Sequence, residues 1–433
     1  MALVAAQLLP DGVLASVLRR LAPRSLAASR CVCKSWCAVV DDWRLLRTDL
    51  LPLSLSGIFF MEEIFPALPK FFASPSIERK NAPRLDYLDT KFEGYLHIMD
   101  HCNGLLLLWD QLVVNPATRQ WVRLPQPPYA GLEDFADDMC LAFDPTVSPH
   151  YEVLLLPEVP HKLGSMTVFT EELEWPPSSY TIRAFSSRTW TWEERVLVRR
   201  GEAAGAIAEM HSPRAREPEH RYAVYWKGEL YVHCQNDSIM RITLSNGEYE
   251  VIKPPTSMDE FTDFYIGKSK RGLYCALIYK DRSYRLQVWL LSELRGKMEW
   301  RLKIDTSLVP VVAMFSWLSH EENSGPWILH GGNYDGDGKK VIVEDKCEWD
   351  FNNGIILEAR DGDECDFVSD SSIYFLGFHP YYEIAFLWVS RARVVAYHLS
   401  SSKVQDLGML HVQCVGDSFP YTPYWTGELF EKH

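Results

Sequence analysis

The 433-residue chain has no Cys-x-x-Cys pair, no apolar run long enough to cross a bilayer and no complete catalytic motif. Its most apolar run, residues 50–61, carries Pro52 and Gly57 and falls short of the roughly 18 to 20 residues that a membrane helix needs. The opening MALVAAQLLPDG has no basic stretch ahead of an apolar one, so no signal peptide is expected. The ten cysteines stand at positions 31, 33, 37, 102, 140, 234, 275, 347, 365 and 414. Three crowd one short segment, whereas a disulfide framework spaces its cysteines through loops, so a reducing compartment, cytoplasm or nucleus, is expected.

Fragments of catalytic and metal motifs fail on inspection. His97 and His101 form HIMDH, but the first His is not followed by the Glu of a zinc protease. Asp335-Gly336-Asp337-Gly338 has a calcium-loop flavour, yet Lys346 occupies the place of the bidentate Glu. Gly267-Lys268-Ser269 lacks the upstream glycine of a phosphate loop, with Thr262 there instead, so Lys268, Lys270 and Arg271 read as a solvated turn. Cys31, Cys33 and Cys37 do not converge on one helix and have no neighbouring His; small apolar fillers is the better reading. No Gly-x-Ser-x-Gly occurs. No catalytic residue, cofactor or metal site is expected.

Charge is present but uneven. Of 44 Lys/Arg and 58 Asp/Glu, residues 1–50 hold seven and four, so a basic head of +3 precedes a body of −17. That split suits an acidic protein partner for the head and argues against nucleic acid for the body.

The head reads as short helices. Asp11 can cap a helix in which Leu14, Val17, Leu18 and Leu21 fall on one stripe; Pro23 closes it and Ser25 can cap the next. Leu26, Val32, Trp36, Val39 and Val40 keep helical spacing up to Asp41. So few residues cannot bury a self-sufficient core, so apolar surface must be shared.

Leu9-Pro10-Asp11, Leu18, Leu21, Pro23-Arg24-Ser25-Leu26, Arg30-Cys31-Val32-Cys33-Lys34-Ser35-Trp36 and Val39-Val40-Asp41 resemble the F-box consensus in order and spacing. Gly12 and Cys37 depart from it mildly. The resemblance implies three helices over residues 1–50 that dock on a Skp-type adaptor and through it on a cullin. By position, Leu9, Pro10, Leu14, Leu18, Leu21, Pro23, Leu26, Val32, Trp36 and Val40 are the candidates for that interface and its supporting core. A helical hairpin packed on the rest of the chain is the alternative.

After a lead-in over 51–94, periodicity shifts to two, with segments such as RYAVYWKGELYVHC (221–234), GLYCALIY (272–279) and EIAFLWV (383–389) bounded by turn residues. An all-β body over 95–433 is expected. Six strand–turn–aromatic units centre near 118, 188, 246, 296, 348 and 401, a spacing of about 50 to 58 from the second onward, which suits the four-stranded blade of a six-bladed kelch-like β-propeller. Its first and last units, 113–125 and 394–408, should then be neighbours. A pair of β-sandwich domains is the alternative. Of the 55 aromatic residues most should stack between sheets, while Trp175, Tyr334 or Tyr381-Tyr382 could line a recognition face.

The body is also similar to the F-box-associated region of the plant F-box family, through Cys102-Asn103-Gly104-Leu105-Leu106, Asn115-Pro116-Ala117-Thr118-Arg119, Phe143-Asp144-Pro145, Trp226-Lys227-Gly228-Glu229-Leu230 and Gly377-Phe378-His379-Pro380. Together these resemblances imply a non-catalytic substrate receptor of a Skp–cullin–F-box ubiquitin ligase. Its partners would be the adaptor, the cullin and an unidentified protein target, with neither nucleic acid nor membrane. A propeller enzyme, a carbohydrate-binding module, or an F-box protein acting outside a ligase are the competing readings.

Overall fold

The computed structural model describes residues 10–21, 26, 29, 32–43, 45, 54–62, 69–74, 83, 85–89, 96–127, 137–157, 159, 172–210, 222–257, 262–280, 284–316, 326–330, 355–356, 373–390, 393–412, 414–425 and 429. Among the described residues, the head contains two short helices, α1 (Asp11–Leu18) and α2 (Lys34–Asp42), and the rest is chiefly strand. No helix among the described residues is long and apolar enough to cross a membrane.

The lead-in supplies β1 (Gly57–Phe60) and β2 (Lys70–Ala73), followed by β3 (Ile98–Cys102), β4 (Leu105–Leu108), β5 (Leu112–Asn115) and β6 (Gln120–Arg123). Next come β7 (Asp137–Ala142), β8 (Glu152–Pro157), β9 (Glu174–Trp175), β10 (Ser179–Ser186), β11 (Thr191–Arg200) and β12 (Gly205–Ala206). Two further meanders follow, β13 (Val224–Trp226), β14 (Glu229–His233), β15 (Ile239–Thr243) and β16 (Glu248–Ile252), then β17 (Thr262–Ser269), β18 (Gly272–Tyr279), β19 (Arg285–Leu294) and β20 (Lys297–Ser307). The chain ends with β21 (Ile328–His330), β22 (Ile355–Ile356), β23 (Ile373–Phe378), β24 (Ile384–Val389), β25 (Arg393–His398), β26 (Lys403–Met409) and β27 (Ser418–Tyr421).

Turn chemistry sets the register of several hairpins. Asn103-Gly104, Lys227-Gly228 and Arg295-Gly296 all have positive φ at both positions. That is the two-residue turn whose twist matches the flanking strands. Gly104 has a second reason to be glycine: a Cβ there would meet the Tyr424 backbone nitrogen at 2.6 Å.

The sheets among the described residues are antiparallel apart from one parallel pairing. Sheet order is β3-β4-β5-β6, β17-β18-β19-β20 and β22-β26-β25-β24-β23, while β7-β8-β10-β11 and β13-β14-β15-β16 merge into one eight-stranded sheet. The merger is a parallel pairing of β11 with β16, Val198 opposite Glu248. The remaining four-stranded sheet, β21-β2-β1-β27, joins the two ends of the body, with Phe59 opposite Phe71 on one side and Phe419 on the other.

Each four-stranded unit buries both faces, because side chains alternate across a strand. Phe59 and Phe71 pack with Ile98, Leu106 and Val114 of the β3–β6 sheet. Ile58, Phe60 and Phe72, one position along, pack with Phe386, Trp388 and Val394 of the β23–β26 sheet. The other face of β3–β6 meets Leu141, Phe143 and Val153; further clusters join β7–β11 to β13–β16, β13–β16 to β17–β20, and β17–β20 to β23–β26. A pair of sandwiches would leave one face of each sheet to solvent. Here every unit has two neighbours, and the clusters return to the unit from which they start.

Five of the six strand–turn–aromatic units coincide with hairpins β5–β6, β10–β11, β15–β16, β19–β20 and β25–β26. The sixth, 341–357, lies outside the described residues apart from β22. The expected adjacency of 113–125 and 394–408 does not hold: the sheet of β1, β2, β21 and β27 stands between those two units, packed on one by each face.

Candidate docking surface and pocket

The head makes a small core of its own. The Pro10 carbonyl accepts the Val13 and Leu14 N–H groups at 2.8 and 3.0 Å and so starts α1. Pro10 is the N-cap, with no side-chain cap bond, and Asp11 is the first residue inside the helix. The expected capping by Asp11 is therefore not made, although its charge still lies in the first turn, where the helix dipole favours it. Leu14, Ala15 and Leu18 turn inward against Leu26, Val39, Val40 and Leu45, with Trp36 partly buried beside them.

The predicted stripe divides. Val13 and Val17 lie one position before Leu14 and Leu18, about 100° round the helix, and stand 47% and 51% exposed. Leu21, Val32 and Trp43 are exposed as well, with the Arg19 guanidinium 5.7 Å over the Trp43 ring. Five of the fifteen large apolar side chains exposed among the described residues thus fall in the short head. Of the sequence candidates, Leu14, Leu18, Leu26 and Val40 are core, Trp36 is intermediate, and Pro10, Leu21 and Val32 are on the surface. Leu9, Pro23 and Ser25 lie outside the described residues. Val13 and Trp43 are surface residues that the sequence reading passed over; the i, i+4 pairing of Val13 with Val17 was the available signal. Cys33 and Cys37 are of intermediate burial.

In the body, β3, β17 and β27 border a cavity of about 90 Å³ near their ends, lined by His101, Cys102, Asn103, Tyr222, Lys268 and Phe419 among others. Its frame is polar and tightly bonded. The buried Asp100 accepts the His101 and Leu141 N–H groups at 2.8 and 2.6 Å and the Ala223 N–H at 3.2 Å, tying three segments together. Asn103 donates from Nδ2 to the Phe143 carbonyl at 2.5 Å, and its Oδ1 accepts from Lys268 Nζ. His101 stacks on Phe419 with ring centroids 3.7 Å apart.

Here Lys268 corrects the sequence reading. It is not part of a solvated turn: β17 runs on to Ser269, and the ammonium reaches inward. Burial lowers its pKa from the usual lysine value. Burial, with the nearby Lys268 charge, also lowers His101 to about 3, so its imidazole is neutral near pH 7. The Cys102 thiol is pushed up to about 12, chiefly by burial. A nucleophilic cysteine needs the opposite shift. HIMDH consequently sits on a strand approach with one neutral, stacked histidine. No group of three or more metal-ligating side chains occurs among the described residues. The calcium-like run 335–338 and Tyr334 lie outside them. Trp175 is buried, whereas Tyr382 is exposed.

Residues 7–48 match the F-box domain model. The chain is 24% identical over 332 residues to an F-box protein of Arabidopsis thaliana, covering 70% of this chain and 72% of that relative. A putative F-box protein of the same plant is 24% identical over 175 residues, 37% of this chain and 55% of its own length. Another is 23% identical over 358 residues, 75% of this chain and 72% of its own. Residues 7–48 are an F-box domain, and the chain they head is similar to these plant F-box proteins.

Proposed function

We propose that this chain is the substrate-recognition subunit of a Skp–cullin–F-box ubiquitin ligase, its F-box bound to a Skp-type adaptor and its β body to a target protein. The observation that carries this reading is an F-box at residues 7–48 whose helices leave a concentration of apolar side chains in solvent. Exposed apolar surface of that kind is what an obligate protein partner covers. Leu9, Pro10, Leu21, Pro23 and Val32 would meet the adaptor, joined by Val13 and Val17, with Leu14, Leu18, Leu26, Trp36 and Val40 holding the helices in place.

The body is read as a six-bladed, kelch-like β-propeller over 95–433, completed by β1 and β2 of the lead-in 51–94. Six units with two neighbours each support that reading, five of four strands and one of five, as does the meander order in the units of β3–β6, β7–β11, β13–β16, β17–β20 and β23–β26. The chain supplies no catalytic residue and no cofactor site in this reading, since holding the target near the charged ubiquitin carrier is sufficient. Cytoplasm or nucleus is the proposed compartment, because the spacing of the cysteines suits reducing surroundings better than a disulfide framework.

The test is co-purification from plant cells. Full-length protein should recover a Skp-type adaptor and a cullin, and protein lacking residues 1–50 should recover neither while still holding its target. Expression of the shortened chain should lengthen target half-life by shielding it. Adaptor recovery that survives the deletion, or a shortened target half-life, contradicts the receptor role.

A further inference from the structure

We propose that the cavity bordered by β3, β17 and β27 binds a monocarboxylate that carries an apolar group. This goes beyond the adaptor role and does not depend on it, since no residue of the head takes part.

Among the described residues lining the cavity, Lys268 is the only Lys or Arg, and none is an Asp or Glu. Its ammonium has a neutral partner, the Asn103 Oδ1. Asp144 acts on it only at longer range, and the Asp144 Oδ1 already accepts from the Thr146 backbone and hydroxyl at 2.9 and 2.6 Å. Among the lining residues His101 is neutral near pH 7 and Cys102 is a thiol, while the Asp417 and Asp100 carboxylates act on Tyr222 from behind the lining. A buried cation paired only with an amide is incompletely compensated, and an anion beside it would relieve that cost.

A second observation is independent of the lysine. Tyr222 lines the same cavity, and its buried hydroxyl has no hydrogen-bond partner in the structure. Buried hydroxyls are nearly always bonded, so an unpartnered one next to a cavity marks a place for an acceptor. An ammonium and a hydroxyl together match the two oxygens of one carboxylate. A phosphate dianion would want further cationic donors that the lining does not supply. Much of the rest of the lining is apolar, including Val224, Ile266, Phe378 and Phe419. The volume of about 90 Å³ exceeds the ~15 Å³ that a single water needs, so it admits a small acyl or aromatic group.

Isothermal titration calorimetry on the full chain tests this with two acid–amide pairs. One is 3-phenylpropionate and its primary amide; the other is a six-residue peptide ending in Phe, with a free or an amidated C-terminus. The expected result is binding of at least one acid, its amide at least roughly tenfold weaker, as loss of a charge-assisted contact predicts. Binding of the free acid points to a small metabolite as the natural source; binding of the peptide acid alone points to a protein terminus. Lys268→Met, checked for folding by circular dichroism, should lose the binding. No binding of either acid to the wild-type chain, amides that bind as well as acids, or a folded Lys268→Met chain that binds undiminished overturns the proposal. The acid–amide comparison decides the matter on wild-type protein alone should the variant fail to fold.

Discussion

Asn115 donates its side-chain amide to the carbonyl of Tyr424 at 2.9 Å, across 309 positions of sequence. The same side chain accepts the Ala117 N–H at 3.1 Å through Oδ1, so one buried residue shapes its own turn and anchors the C-terminal segment. Asn115→Ala strands the Tyr424 carbonyl and the turn N–H together. Leaving buried polar groups unpaired costs about 1–3 kcal/mol, to be read as a lower midpoint in denaturant unfolding. Deleting residues 418–433 should do more, since β27 takes Phe419 and Tyr421 with it. The whole body, not one hairpin, should lose its cooperative melt.

Two glycines separate backbone conformation from contact. Gly104 and Gly228 both sit in two-residue turns, with φ of +92° and +86°. A Cβ on Gly228 would meet nothing within 4 Å, whereas one on Gly104 would press on Tyr424 and Thr422. Gly228→Ala should cost about 1 kcal/mol for the left-handed conformation alone. Gly104→Ala should exceed that, by about 2 kcal/mol or more if the C-terminal segment must shift. Equal losses in thermal melts would refute the close approach.

On the head, neighbouring positions should have opposite phenotypes. Val13→Asp with Val17→Asp changes exposed side chains, so helical content should survive while adaptor capture falls by tenfold or more, about 1.4 kcal/mol. Leu14→Ala with Leu18→Ala removes core, at about 2–5 kcal/mol each, and should unfold the head before binding is even measured. Circular dichroism and a quantitative pull-down on the two double variants read both effects.

Acid should destabilise the body through its buried imidazoles. Burial, and secondarily repulsion from His398, lowers His379 from 6.5 to about 3, while its Nδ1 accepts the Tyr381 and Tyr382 N–H groups at 3.1 and 3.2 Å. Between those two pKa values the unfolded chain binds a proton that the folded chain does not. Stability is therefore intact above about 6.5 and is lost as pH falls toward 3, at up to about 1.4 kcal/mol per unit for each such group. His101 acts in the same direction. His379→Asn keeps an acceptor but cannot be protonated, so its melting temperature should fall less between pH 6.5 and 5 than that of the wild type.

The sequence made the hairpins readable wherever strands alternate and turns carry Gly or Asn, as at Trp226-Lys227-Gly228-Glu229. It concealed the sheet that joins the ends. β1 (GIFF) and β2 (KFFA) are nearly all apolar because both faces are covered, so they show no period of two, and β27 lies some 350 residues away. Lys268 was hidden for a related reason. Gly-Lys-Ser-Lys-Arg-Gly has the composition of a solvated turn, and only the packing of β17 against distant strands shows that one lysine faces inward. In the head, helical spacing identified Leu14 and Leu18 as apolar-face residues but could not say which face meets its own core. That depends on where α2 sits.

The parallel pairing of β11 with β16 has a mechanical consequence. Among the described residues it is the one boundary between four-stranded units that is crossed by a strand ladder, reinforced by the Val198 N–H donating to the Gly247 carbonyl at 2.9 Å and by the Arg200–Glu248 ion pair. The other boundaries rest on side chains interleaving from opposite faces. Units β7–β11 and β13–β16 therefore move as a single stiff plate, and the compliance of the body is concentrated at the remaining boundaries. The cavity beside Lys268 is bordered by β3, β17 and β27 outside that plate and by Val224 and Tyr225 of β13 at its edge, so its width follows the boundary between the plate and its more yielding neighbours.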